Sequence, residues 1–279
     1  MPKHSTEIIQ IDVKKIIRNQ DNKTLKKLPG FVIKFIKWLI MEKEMNRILR
    51  AYGHLKNYEF CEAVIEDLNI KVEIYGKENL PDDPQIILAG NHALGGVDFF
   101  AITEAVKEKY PNGINHLTNE ILMKITPLID LMVPVNVFGK NPEEYKKLYD
   151  ERLQDPKRPI TIFPSGEVSR YNKGKWDDGL WRSGFIRFAK KFNRPIIPFF
   201  IPTKNSPWFY RVAKWRKFLG IKANLELFLL PRQIFYQRDK TLKIIIGKPI
   251  SPDTFDESKS IHEWAEFVKQ KAYELQEKK

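Results

Sequence analysis

The pattern of apolar and polar positions divides the chain near residue 70. Before that point apolar residues recur at helical spacing, and afterwards many short runs alternate or are wholly apolar. The predicted N-terminal helices lie at about 11–19, 30–51 and 56–69. Ile70 to Gly76 alternates between apolar and polar residues, which is typical of a strand with one wet face. We therefore predict a helical segment over residues 1–69 and a second unit over residues 70–279.

Strand-like and helix-like runs alternate through the second unit. The predicted strands lie at about 85–90, 114–117, 132–137, 159–163, 195–201, 223–230 and 241–247. The predicted helices lie at about 97–110, 119–126, 142–154, 179–192, 207–218 and 260–277. Such alternation is typical of helices packed on the faces of a parallel sheet. The predicted fold class is α/β, with a mixed, largely parallel sheet flanked by helices and an N-terminal helical segment.

Composition adds two expectations about compartment and membrane topology. The chain has one cysteine, Cys61, so an intrachain disulfide framework is excluded and a reducing compartment is expected. Cys61 lies in a helical pattern and is interpreted as a packing residue. The N-terminus shows no apolar signal-peptide core, and the most apolar stretch, Phe31 to Met41, is interrupted by Lys34 and Lys37. We expect neither a signal peptide nor a spanning helix.

The net charge of +13 favours an anionic partner. Residues 28–49 and 207–218 carry aromatic side chains at helical spacing with Lys and Arg between them. This pattern suits a helix lying in the plane of an anionic bilayer, although an ordinary amphipathic helix packed on a core has the same pattern. We predict a peripheral, monotopic protein on the cytoplasmic face of the membrane.

Nucleic-acid binding is the alternative from another class. Aromatic and basic residues are interleaved over 207–218 and 232–243, and the sequence pI is about 9.5. The sequence contains no helix-turn-helix, zinc-finger or RNP-type motif, so we expect no nucleic-acid partner.

The stretch AGNHALGGVDFF, residues 89–100, holds the first candidate chemistry. His92 directly follows an apolar strand, at the edge where open α/β sheets bind ligands. The pair Gly95-Gly96 lets the chain fold back, so that Asp98 reaches the imidazole. A carboxylate on one ring nitrogen fixes the tautomer and leaves the other nitrogen as a general base. The alternative is a polar turn residue followed by an acid that caps a helix.

The stretch from Ile160 to Arg170 repeats the arrangement of apolar strand, tight turn and polar residues. Backbone amides of the turn around Gly166, with Arg170 nearby, are suited to a phosphate or carboxylate. A solvated basic loop is the alternative.

Together the two stretches carry a resemblance to a known family. Asn91-His92 with Asp98, then Phe163-Pro164-Ser165-Gly166 about seventy residues later, resembles the glycerolipid acyltransferases, the 1-acylglycerol-3-phosphate (PlsC-like) group. Pro134 to Lys140 and Pro195 to Pro198 fall where two further blocks of that family lie. The resemblance covers roughly residues 70–250, and the five residues between His92 and Asp98 resemble a bacterial branch.

The resemblance implies an enzyme of phospholipid biosynthesis that moves a fatty acyl group from acyl-CoA or acyl-carrier protein to a lysophospholipid-type acceptor. It implies His92 as general base, oriented by Asp98, with Arg170 and Lys140 holding the anionic head and amides around Gly166 stabilising the oxyanion. The implied substrate-binding residues are Asn91, Gly95, Gly96, Lys140, Ser165, Gly166, Glu167 and Arg170. No cofactor and no metal is expected, and His116 is interpreted as a strand-end polar residue.

Two departures from the family pattern leave the acceptor open. Ser165 stands where the third block has Glu, and Arg170 comes two places late. An amino-acid lipid, an acylated glycine or ornithine, is therefore the alternative acceptor. An inactive protein on the same fold is a further alternative, which the presence of both His92 and Asp98 disfavours.

Overall fold

The computed structural model describes residues 10–19, 26–135, 143–172, 175–220 and 225–277. The strands are β1 (Lys71–Tyr75), β2 (Ile87–Gly90), β3 (Asn115–Asn119), β4 (Met132–Val135), β5 (Ile160–Ile162), β6 (Arg170–Asn172), β7 (Lys175–Asp177), β8 (Ile196–Phe200) and β9 (Thr241–Ile246). The α-helices are α1 (Val13–Arg18), α2 (Gly30–Leu39), α3 (Glu42–Tyr52), α4 (Asn57–Asp67), α5 (Gly96–Val106), α6 (Glu143–Gln154), α7 (Gly184–Phe192), α8 (Pro207–Phe218), α9 (Leu230–Tyr236) and α10 (Ile261–Glu274).

Seven strands form one sheet in the order β1-β9-β8-β2-β5-β3-β4. Every neighbouring pair is parallel except β8 and β9. Strand β2 lies in the middle, with Ile87 paired to Ile160 of β5 on one side and to Ile196 of β8 on the other. The predicted α/β class with a mixed, largely parallel sheet is confirmed.

The central strands are buried along their whole length, as expected for a parallel sheet covered on both faces. Successive residues of β2 point to opposite faces, so Leu88 packs in one core cluster while Ile87 and Ala89 pack in another. Ile102 of α5 lies in the first cluster, and Trp264 of α10 lies in the second. Helices on both faces therefore hold β2, and with it the residues that follow its carboxyl end.

The helix before the sheet shares its core. Phe60, Cys61 and Val64 of α4 are buried in the same cluster as residues of β2 and α5. The Tyr58 hydroxyl donates to the Tyr110 carbonyl oxygen at 2.9 Å. Burial raises the pKa of the Cys61 thiol, which suits a packing residue. The predicted boundary after residue 69 thus falls between a helix and a strand that belong to one core.

Several predicted elements differ from those observed. The helix predicted over 30–51 is interrupted at Met41, whose φ of 59° is left-handed, and forms α2 and α3. The strand predicted at 223–230 is wrong, because Leu225–Leu229 is a 3₁₀ turn that leads into α9. A short apolar run has no period that distinguishes strand from helix. The hairpin of β6 and β7 was not predicted.

None of the helices within the described ranges has the length and apolar content needed to cross a bilayer.

His116 on β3 gives the fold a dependence on pH. Its Nε2 lies 3.0 Å from the Thr103 hydroxyl, which itself donates to the Phe99 carbonyl oxygen, and its ring packs against Phe99. Burial lowers the pKa of His116 to about 3 from an ordinary value of 6.5. The unfolded chain therefore takes up this proton at a higher pH than the folded protein does.

We expect the free energy of unfolding to fall as the pH drops from about 6.5 towards 3, by at most about 1.4 kcal/mol per pH unit from this group. The variant His116→Gln should lose this contribution to the slope, measured by urea denaturation at several pH values. His262→Gln, at an exposed position, is the control. Equal slopes in wild type and His116→Gln would contradict the prediction.

Candidate active site

Asn91 fixes the chain where it leaves β2. It is 4% exposed, and its side-chain amide donates to the Ile201 carbonyl oxygen at 2.9 Å. The Ile201 N–H in turn donates to Asn91 Oδ1 at 2.7 Å. This pair of bonds extends the pairing of β2 and β8 beyond the end of β2. Asn91, predicted as a substrate-binding residue, therefore has its side chain committed to the backbone.

Gly95 makes the turn that follows. Its φ of 82° and ψ of −125° form a conformation that glycine adopts readily and other residues do not. Helix α5 begins at Gly96, so Asp98 lies in its first turn. The Asp98 carboxylate Oδ2 accepts the Leu94 N–H at 2.9 Å and the Gly95 N–H at 3.1 Å. Asp98 thus folds back over the loop that carries His92.

His92 and Asp98 form a hydrogen-bonded pair. His92 Nδ1 lies 2.8 Å from Asp98 Oδ2, and the Asp98 side chain is fully buried while that of His92 is 21% exposed. Because an ionised carboxylate only accepts, Nδ1 carries the proton and Nε2 keeps its lone pair. None of the described residues hydrogen-bonds Nε2. This is the geometry of a general base with an orienting carboxylate.

Phe163 covers one face of the imidazole. Its ring stacks on the His92 ring, with the centroids 4.2 Å apart and the planes inclined by 24°. The Phe163 ring also makes an edge-to-face contact with Phe199. The strand end at Phe163 is therefore adjacent to the strand end at His92. The two stretches selected from the sequence come together as parallel β2 and β5 require.

Asp178 holds the backbone of His92 and was not predicted as a site residue. Its carboxylate accepts the His92 N–H at 3.2 Å, Trp181 Nε1–H at 3.1 Å, the Ser169 hydroxyl at 3.2 Å and the Tyr273 hydroxyl. Ser169 also donates its N–H to the His92 carbonyl oxygen at 2.7 Å. Burial raises the pKa of Asp178, with these donors opposing the shift. Both backbone polar groups of His92 are therefore fixed by residues distant in the sequence.

The polar groups of the turn at residues 165–167 form hydrogen bonds within the turn. The Ser165 hydroxyl donates to the Glu167 carbonyl oxygen at 2.8 Å and accepts the Glu167 N–H at 3.3 Å. The Gly166 N–H donates to the Phe163 carbonyl oxygen at 3.0 Å, so this predicted oxyanion donor is engaged within the turn. Glu167 is exposed, and Lys140 lies outside the described residues.

Arg170, predicted to hold the anionic head of the acceptor, pairs with a buried carboxylate. It is 9% exposed, and its guanidinium contacts Glu226 Oε1 at 3.2 and 3.3 Å. Arg216 pairs with the other oxygen of Glu226 at 2.9 Å. A fully buried carboxylate needs such partners, because an unpaired charge in the interior is strongly destabilising. Burial lowers the pKa of Arg170, and Glu226 opposes the shift. Arg170 thus stabilises a buried charge, and its guanidinium is engaged by Glu226.

The residues that the structure describes contain no group of three or more His, Cys, Asp or Glu side chains arranged to hold a metal ion.

The chain is similar in sequence to known acyltransferases along almost its whole length. A family model described as Acyltransferase matches residues 15–279. A lyso-glycine lipid O-acyltransferase of Phocaeicola vulgatus is 33% identical over 268 residues, which cover 96% of each chain. A protein of the same name from Bacteroides thetaiotaomicron is 36% identical over 265 residues, 95% of this chain and 97% of the relative. The crystal structure of PlsC, the 1-acyl-sn-glycerophosphate acyltransferase of Thermotoga maritima, aligns over 88% of this chain and 93% of its own, with 15% identity and a TM-score of 0.42.

The two glycines of the turn should respond differently to alanine. A Cβ at Gly95 meets Leu230 at 3.0 Å and has an unsuitable φ, whereas a Cβ at Gly96 meets Ile234 at 3.5 Å in helical backbone. We expect Gly95→Ala to lower the free energy of unfolding by about 1–3 kcal/mol. Gly96→Ala should change it by less than about 1 kcal/mol, since alanine favours the helix. Urea denaturation measures both, and equal losses would refute this account of the turn.

Proposed function

Because the chain belongs to the acyltransferase family, we propose that it moves a fatty acyl group from a thioester to the hydroxyl of an amino-acid lysolipid whose head is an acylated glycine. The chain is an acyltransferase that acts on lipids. The observation that carries the proposal is the 2.8 Å pair of His92 and Asp98 at the carboxyl end of the central strand, which supports His92 as the general base. The nearly full-length similarity to two lyso-glycine lipid O-acyltransferases supports the choice of acceptor.

The proposed reaction is a direct transfer. His92 Nε2 takes the proton of the acceptor hydroxyl as its oxygen attacks the thioester carbonyl carbon. The new C–O bond forms, the C–S bond breaks, and the proton on Nε2 passes to the departing thiolate. Asp98 accepts the Nδ1–H bond throughout and stabilises the imidazolium. The donor is acyl-CoA or acyl-carrier protein.

Two observations favour the glycine lipid over 1-acylglycerol-3-phosphate. The relatives that cover this chain almost completely carry lyso-glycine lipid in their names. The cation that the resemblance assigns to the acceptor head, Arg170, is buried against Glu226. The amino-acid alternative that the sequence left open is therefore the better supported acceptor.

An exposed aromatic surface supports attachment to a membrane. We define it by the exposed side chains of α2, of α8 and of the residues next to them: Phe31, Phe35, Trp38, Trp208, Trp215, Phe218, Leu219 and Phe228. The 3₁₀ turn Leu225–Leu229 lies against both helices. Phe209 of α8 is fully buried, so only part of this helix belongs to the surface. We propose that this surface lies in the interfacial region of the cytoplasmic leaflet.

The aromatic surface is connected to the catalytic turn through α9. The Arg232 guanidinium lies 4.2 Å over the Trp38 ring and donates to the Trp38 carbonyl oxygen at 2.7 Å. On the same helix, Leu230 and Ile234 are the side chains that face Gly95 and Gly96. A lipid acceptor held at this surface is therefore close to the turn that carries His92.

The acceptor is tested with purified protein, an acyl-CoA or acyl-carrier protein donor, and two acceptors. We expect acylation of an N-acylated glycine bearing a free hydroxyl, with at least about tenfold higher kcat/KM than for 1-acylglycerol-3-phosphate. Mass spectrometry of the product and release of the free thiol report the reaction. A preference for 1-acylglycerol-3-phosphate would overturn the proposed acceptor.

Variants of the base are the internal controls of this assay. His92→Ala and Asp98→Asn should each lower kcat by about 100-fold or more, and the double variant should be no worse than the poorer single one. His54→Ala, at an exposed position, should leave kcat unchanged. A folded and fully active His92→Ala protein would refute the mechanism.

The aromatic surface is tested by vesicle binding. The double variant Trp215→Ser/Phe218→Ser removes rings that are 71% and 89% exposed, so it should fold normally and bind phosphatidylglycerol vesicles about tenfold more weakly. Tyr75→Ser removes an exposed ring of β1 and should have no effect. High salt should weaken the binding of all three proteins. Binding to single-stranded DNA in preference to vesicles would favour a nucleic-acid partner instead.

A further inference from the structure

An exposed guanidinium, that of Arg182, lies beside the turn that follows β5. The Arg182 N–H donates to the Pro164 carbonyl oxygen at 3.0 Å, which fixes its backbone against the turn. A Cβ built on Gly166 would lie 3.8 Å from Arg182 Cζ and 3.9–4.0 Å from its terminal nitrogens. Gly166, with φ of 66°, has no side chain to cover the guanidinium. Arg182 is exposed, in contrast to the buried Arg170.

The residues next to Pro164 and to Arg182 in the sequence contact His92 directly or through Asp178. Phe163, next to Pro164, stacks on the His92 ring at 4.2 Å. Trp181, next to Arg182, donates to Asp178, which accepts the His92 N–H. Arg182 is thus fixed to the catalytic turn through two independent sets of contacts. Its position relative to the base is set by the fold.

The Arg182 guanidinium is available for a ligand. Among the described residues, none forms a hydrogen bond or an ion pair with it. The nearby acids do not pair with Arg182. Asp177 pairs with Lys269 at 2.6 Å, and Asp178 is buried among its donors. Glu167 is exposed and forms no ion pair with Arg182. An unpaired cation on the turn whose Phe163 packs against His92 is suited to an anionic substrate group.

We propose that Arg182 binds the carboxylate of the acceptor's amino-acid head and thereby holds the acceptor hydroxyl towards His92 Nε2. This inference rests on the proposed function and names the residue that selects its acceptor. The planar guanidinium matches a carboxylate with two parallel hydrogen bonds, which an ammonium does not reproduce. In this proposal Arg182 recognises the anionic head of the acceptor. The family pattern would give that role to Arg170, but the Arg170 guanidinium is paired with Glu226.

The test compares KM values for acceptor and donor in Arg182→Gln. We expect the KM for the N-acylated glycine acceptor to rise about ten- to hundredfold, the loss expected for a hydrogen bond to a charged group, with the donor KM unchanged. Arg187→Gln removes an exposed arginine of α7 outside the turn and should change neither KM. Arg182→Lys should recover part of the loss. Circular dichroism and the melting temperature check that each variant is folded.

An acceptor in which a carboxamide replaces the carboxylate completes the test. Wild type should use it poorly, whereas Arg182→Gln should no longer distinguish it from the acid. An unchanged acceptor KM in a folded Arg182→Gln protein would overturn the inference while leaving the proposed function intact. A rise in the donor KM alone would also overturn it and assign Arg182 to the donor's phosphates. Wild type that fails to acylate the glycine lipid would instead refute the proposed function, and this inference with it.

Discussion

The burial of one carboxylate, that of Asp98, determines the form of the turn that carries His92. A fully buried carboxylate is strongly destabilising unless donors surround it. Here three donors converge on a single oxygen: His92 Nδ1–H and the N–H groups of Leu94 and Gly95. These donors converge because Gly95 adopts a positive φ and α5 begins directly afterwards. His92, the turn and the start of the helix therefore form one unit.

Two further buried carboxylates join this unit to the rest of the molecule. Asp178 connects the His92 backbone to Trp181 and to Tyr273 of α10. Glu226 connects Arg170 of the β6–β7 hairpin to Arg216 of α8. In each case the buried carboxylate joins a segment close to it in the sequence to one that is distant: Tyr273 lies 95 positions from Asp178, and Arg170 lies 56 positions from Glu226. Rigid placement of the site thus comes from polar contacts added to an apolar sheet.

The sequence predicts the candidate site well where the interacting residues lie close together in the chain. The β2–turn–α5 stretch is predictable because the apolar strand, the glycine pair and Asp98 lie within a dozen residues. The partners Asp178 and Glu226 are not, because they reach the site only through tertiary contacts; Asp178 lies 86 positions from His92. Arg170 was assigned to the acceptor by its place in a motif, and no pattern in the sequence reveals that a buried Glu226 engages it. The same Glu lies in the run misread as a strand.

The contact between Asp178 and Tyr273 can form only after α10 has been synthesised. Asp178 is made 86 positions after His92, and Tyr273 follows a further 95 positions later. The strand, the turn and Asp98 all leave the ribosome early, since they are close together in the chain. The Tyr273 hydroxyl, which donates to buried Asp178, is synthesised only with α10. The nascent chain therefore carries His92 long before Asp178, which holds the His92 backbone, has all of its donors.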